Sequence, residues 1–199
     1  MKALVATRAG RLVVIVMPPP ISEEAATGLL PAVAGEWRAG PDLVALISGA
    51  VSGVFAIPGC LAGAGICQHR SSTWTCMIFS LAFAVVEGGM ALSPHTPLAF
   101  GGFLLFASIL QGAAWSAIAA IAFEATPHRG AATVNSLLGS LSNVPWVGLT
   151  FLSGLAQVRL GTNGMLLAEG VLAFAAVAGY AVLTRLWRRA APLTELAPA

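Results

Sequence analysis

Four glutamates fall inside apolar stretches: Glu23 and Glu24 midway along the first, Glu87 about a turn and a half from the end of the third, and Glu169 near the start of the last. An ionisable group at the centre of a bilayer costs roughly 3 kcal/mol on insertion scales, so its retention points to a task. For a carboxyl group the task is proton exchange, which makes Glu23, Glu24 and Glu87 candidate proton-coupling residues. The bland alternative is that such a group pairs with a helix dipole or lines a wet cavity.

A second set is neutral and polar. Gln111 is followed one turn later by Trp115, on the same helix face. Ser136, Ser140 and Asn143 are spaced by four and three, with Asn135, Pro145 and Trp146 close by. Facing stripes of this kind can enclose a hydrated path in which Gln111 and Asn143 bind a polar solute while Trp115 and Trp146 stack on it. Hydrogen bonding between helices without a ligand, worth roughly 0.6 kcal/mol per contact, is the competing explanation.

The remaining reactive residue types do not combine into an active site. His69, His95 and His128 all fall in expected loops, so no intramembrane serine has a histidine base. Glu23-Glu24 resembles the start of an intramembrane metalloprotease signature, but Gly28 stands at its arginine position and no later helix supplies histidines. Cys60, Cys67 and Cys76 have no C-x-x-C spacing and no nearby histidine that would complete a zinc set, so they are expected to be reduced, buried apolar fillers. We therefore expect no enzyme activity, no metal and no cofactor.

These groups are carried by apolar segments. Of 199 residues, 57% are hydrophobic and 9% charged, against about 25% charged in a soluble domain. With mean hydropathy at +0.86, the lipid bilayer is the expected surroundings. The net charge of +2 is small and dispersed, which argues against nucleic acid. Six apolar segments follow one another: 11–35, 43–67, 73–92, 97–123, 131–156 and 164–187. The first is interrupted by Pro18, Pro19 and Pro20, so if it spans it is broken and packed inside. Ala32-Val33-Ala34 resembles a signal-peptide cleavage site, but Glu23 and Glu24 inside the would-be signal core argue against cleavage.

Loop charges provide an independent check, because cytoplasmic loops collect Lys and Arg. Lys2, Arg8, Arg11, Arg70, Arg129, Arg185, Arg188 and Arg189 fall on one side of this parse, and only Arg38 and Arg159 on the other. Both termini are thus expected in the cytoplasm, with an even number of spans. Trp37, Trp74 and Trp187 lie near expected helix ends, where indoles anchor at the headgroup level. The second segment carries Gly49 and Gly53, then Gly59 and Gly63, at a spacing that lets helix backbones approach. The expected architecture is all-α: a polytopic membrane protein with a cytoplasmic segment 1–10, a six-helix transmembrane bundle 11–187 and a cytoplasmic tail 188–199.

Two stretches resemble the major facilitator superfamily, in the second six-helix half of its members. One is Gly63-Ala64-Gly65-Ile66-Cys67-Gln68-His69-Arg70, similar to the family's Gly-x-x-x-Asp-Arg-type loop, with His69 where the aspartate is expected. The other is Glu124-Ala125-Thr126-Pro127-His128-Arg129-Gly130, followed by Ser140, Asn143, Gly148 and Gly154. It resembles the turn between the family's tenth and eleventh helices and the glycine-spaced helix after it. The loop wording and the acid at Glu24 are most similar to the branch of anhydromuropeptide permeases and acetyl-coenzyme A transporters.

The resemblance implies half of a proton-coupled secondary transporter in a bacterial inner membrane, working by alternating access on a small-molecule solute. It also implies a cytoplasmic gate at Arg70, Glu124 and Arg129. A complete member has about twelve helices, so a second six-helix half or a self-dimer is the implied partner. A truncated or split-gene subunit without independent transport is the alternative.

Overall fold

The computed structural model describes residues 28–125 and 131–190, with backbone alone for parts of 131–146 and 183–190. Residues 28–33 are helical and pass into a 3-10 turn, Ala34–Trp37. Four helices follow: α1 (Pro41–His69), α2 (Ser72–Ala91), α3 (Pro97–Ala125) and α4 (Ala131–Ala190). No strand occurs among the described residues.

Local sequence accounts for the boundaries. Gly40 is extended and Pro41 opens α1, where a missing N–H costs nothing, with Asp42 in the positive first turn. Within α1, Ile47–Val51 widen into a π-turn, and Ser52 Oγ donates to the carbonyls of Ser48 and Gly49, each at 3.1 Å. Extended Arg70 ends α1. Ser71 then caps α2, its Oγ accepting from Trp74 N–H at 3.3 Å. Ser93 stops α2 by donating to the Met90 carbonyl at 2.8 Å, and Thr96 Oγ1 accepts from Ala99 N–H at 3.2 Å ahead of Pro97.

Gly161 divides α4. Its φ of 73° and ψ of −179° lie outside the helical region and suit a residue without Cβ. A first arm, 131–160, and a second arm, 162–190, meet there. The segments expected at 131–156 and 164–187 therefore belong to one broken helix. The polar residues around 157–163 stay helical because the single glycine supplies the whole break. The other observed bounds differ from 43–67, 73–92 and 97–123 by at most two residues at each end.

Four helices among the described residues are long and apolar enough to cross a membrane: Pro41–His69, Ser72–Ala91, Pro97–Glu124 and Val147–Val182. Most of the first expected segment, 11–35, and the tail from 191 lie outside the described residues.

The packing register follows from named contacts. α1 and α3 run parallel: Gly59 abuts the Ile109 backbone and Gly63 that of Ala113, while Gly112 abuts Ala56. The absence of Cβ at all three lets the main chains touch. α2 runs antiparallel to α3, with Phe83 against Ala107 and Leu110 at mid-height and Cys76 against Ala117 and Ile118 near one end. It also runs antiparallel to the second arm, since Met77 packs near Val177, Ala84 near Gly170 and Met90 near Met165. Over their apolar windows α2 and α3 are 56% buried, against 11% for α1, so the two form the centre and α1 a flank.

The cysteines follow that division. Cys76 on α2 is buried, but Cys67 is half-buried and Cys60 exposed on α1. The expectation of three buried fillers is corrected at Cys60, because among the described residues little packs on α1 outside its seam with α3.

Candidate functional site

The buried face of α2 carries Ser72, Cys76, Ser80, Phe83 and Glu87, at spacings of four or three that align them along one side. Glu87 is 5% exposed. The antiparallel register brings the second arm of α4 alongside, so Glu169, 1% exposed, arrives at the same height. Gly170 faces Ala84 across this seam, where a Cβ would stand in ordinary contact, 3.4 Å from the Ala84 carbonyl oxygen. The first arm adds Ser153, 2% exposed.

Ser153 and Glu87 are the polar side chains that approach the Glu169 carboxyl. Both Glu169 oxygens and Ser153 Oγ are nevertheless buried without a hydrogen-bond partner at ordinary geometry, as is Ser80 Oγ, two turns along α2 from Glu87. Isolated buried charge and unpaired buried hydroxyls are costly in an apolar interior. Ser80 and Glu87 thus lie on the same face, with Phe83 between them, enclosed by apolar helices.

At one end of the bundle, Trp37 is fully buried, tilted against His95 with ring centroids 4.6 Å apart and against Phe100 at 6.2 Å. Thr162 Oγ1 donates to Glu36 Oε1, tying the 3-10 turn to the start of the second arm. Arg38 and Arg159 lie exposed towards this end.

The opposite end carries Arg70 and Arg185. Arg70 lies over the Trp74 ring, 5.7 Å from its centroid. Ser72 Oγ donates to Glu124 Oε1 and so joins the start of α2 to the end of α3. Between α2 and the second arm opens a cleft of about 530 Å³, lined by residues that include Ser71, Trp74, Tyr180 and Arg185.

The expected site residues are distributed unevenly. Glu87 is buried at the centre just described. Gln111 is half-buried, and Trp115, on the same face of α3, is 41% exposed. Ser136 and Ser140 are exposed, with Ser140 Oγ turned back to the Ser136 carbonyl at 3.0 Å. Asn143 and Trp146 belong to the helical backbone of α4, and their side chains lie outside the described residues, as do Glu23, Glu24 and Arg129. Of the gate set, Arg70 contacts Trp74 and Glu124 contacts Ser72.

Glu169 and Ser153 went unrecognised as partners of Glu87. The signal present in the sequence was positional: Glu87 and Glu169 each lie about one turn and a half to two turns from an expected end on the same face of the bilayer, so antiparallel packing sets them level. No group of three or more potential metal ligands occurs among the described residues. No family model matches this chain, and neither a curated protein nor a solved structure shows detectable similarity to it.

Proposed function

We propose that the chain forms one six-helix half of a secondary active transporter of the major facilitator type. It moves a small polar or amphipathic solute by alternating access, coupled to protons. The observation that carries this reading is Glu87: a carboxyl group 5% exposed within helices apolar enough to span a bilayer. Such a group is costly in these surroundings, and a proton relay is a task that requires it.

In this reading Glu23, Glu24 and Glu87 handle protons, and Gln111, Trp115, Asn143 and Trp146 meet the solute. Arg70, Glu124 and Arg129 brace the cytoplasmic side. The partner is a second bundle or a second copy of this one. The open flank of α1, with Val54, Ile57 and Leu61 all more than half exposed, offers such a bundle an apolar surface. The resemblance of the 63–70 and 124–130 stretches to the superfamily adds support, and the branch it favours directs attention to cell-wall fragments and acyl-coenzyme A conjugates as solutes.

The test is uptake into proteoliposomes of an anhydromuropeptide and of acetyl-coenzyme A, with and without an imposed proton gradient. Uptake of one of them that rises with the gradient, and loses that dependence in Glu24→Gln or Glu87→Gln, is the expected result. Uptake indifferent to the gradient removes coupling. No uptake of either, with the partner bundle present, removes the transporter reading for these solutes.

A further inference from the structure

Glu87 was expected to handle protons together with Glu23 and Glu24; the fold gives it a neighbour on another helix. We infer that Glu87, Glu169 and Ser153 form one buried proton-binding site between α2 and the two arms of α4, in which a single proton is held by two carboxyl groups. This deepens the coupling part of the reading above by naming the site's second carboxyl, and it rests on that reading only for the proton's later use.

Three observations carry it. The two carboxyl groups come from antiparallel helices in register, and Ser153 enters from a third direction. Both Glu169 oxygens and the Ser153 hydroxyl, all inside the bundle, have no hydrogen-bond partner at ordinary geometry, so acceptors and a donor point into a site with capacity to spare. Finally, charged residues are sparse in the described elements around the site. Glu87 is the only charged residue of α2, and α3 has none before Glu124 at its far end. Glu169 is the only one of the second arm before Arg185, while Arg159 of the first arm and Glu36 of the 3-10 turn are exposed. Tyr180 and Cys76 lie together at the opposite end of the α2 interface.

Two negative charges enclosed side by side in an apolar interior repel each other and forfeit their hydration. One proton taken from water and bound to a carboxylate oxygen leaves a single negative charge. The new O–H donates to the second carboxylate, and Ser153 Oγ donates to a remaining oxygen. Only the one O–H bond forms, and no redox partner is needed.

The probe is the proton itself, read by pH-difference infrared spectroscopy of the purified chain in lipid nanodiscs, in H₂O and D₂O. The wild-type protein is expected to show a protonated-carboxyl C=O band that shifts on deuteration. Glu169→Gln should change the frequency and midpoint of the Glu87 band, and Glu87→Gln those of the Glu169 band. Ser153→Ala should shift the band without removing it. Bands that vanish one by one while the other stays unaltered describe two independent carboxyls and overturn the inference.

So does the absence of any such band in the wild-type protein across the pH range where it stays folded, a measurement that requires no variant. Replacing an organic cation by sodium at constant pH is the last arm: loss of the band in sodium assigns the site to an alkali ion and overturns the proton. Because the readout is proton binding, its failure leaves uptake measurements untouched, and gradient-indifferent uptake leaves the band intact.

Discussion

Replacing glycines of α1 one at a time by alanine tests how the bundle is held together. At Gly59 and Gly63 a new Cβ would run into the backbone oxygens of Ile109 and Ala113. The next atoms are also close, with the Ile109 carbonyl carbon and the Ala113 Cα each at 2.8 Å. Carbon pairs rest at about 3.5–4.0 Å, so α1 and α3 must part by roughly 1 Å at the crossing, which forfeits a quarter to a half of each dispersion contact there. Overpacking of this kind costs about 1–3 kcal/mol.

Opposing this, alanine in place of glycine favours the helix by up to about 1 kcal/mol. The same helix contains the controls, because a Cβ at Gly49, Gly53 or Gly65 meets nothing within 4 Å. For a chain of this size about 1 kcal/mol moves Tm by about 2–4 °C. The expected pattern in detergent thermal unfolding is a fall of about 4–8 °C for Gly59→Ala and Gly63→Ala at a cost near 2 kcal/mol, with no change or a small rise at the three controls. Gly112→Ala, whose new Cβ would likewise run into the Ala56 carbonyl oxygen, is expected to fall by a similar amount. If Gly53→Ala lowers Tm as much as Gly63→Ala, the seam does not run between α1 and α3 and the packing argument fails.

Two further outcomes follow from the same physical chemistry. Trp37→Ala, which empties a fully buried site between 28–37, His95 and Phe100, should cost about 3–5 kcal/mol; Trp37→Phe, which also removes a buried N–H without a hydrogen-bond partner, should cost clearly less, as read from paired unfolding curves. Arg38 holds φ 54°, left-handed, just after the 3-10 turn, so Arg38→Gly should raise stability by about 1 kcal/mol, and a loss of stability would show that the arginine side chain matters more than its backbone.

The described helices were legible in the sequence because each is a run of apolar residues bounded by capping or breaking types: Gly40-Pro41, Ser71, Ser93-Pro94 and Thr96-Pro97. Such signals are local, and a bilayer-scale apolar run needs no knowledge of its neighbours. Where the signal was ambiguous the boundary moved: the polar stretch near 157–163 looked like a loop, yet a single residue, Gly161, makes the break. Glycine spacing in α1 announced close approach, but nothing in Gly49-x-x-x-Gly53 distinguishes it from Gly59-x-x-x-Gly63.

Tertiary structure decided which pair is used, because only the parallel crossing with α3 sets Ile109 and Ala113 against the second. It also decided the candidate site. Composition marked Glu87 and Glu169 as costly residues worth explaining. Their meeting, and the arrival of Ser153 between them, depends on the antiparallel register of α2 with the second arm and on the fold at Gly161 that returns the first arm to the same interior. Residue type sets what a group costs when enclosed in apolar surroundings, and three-dimensional packing sets which other groups share that enclosure.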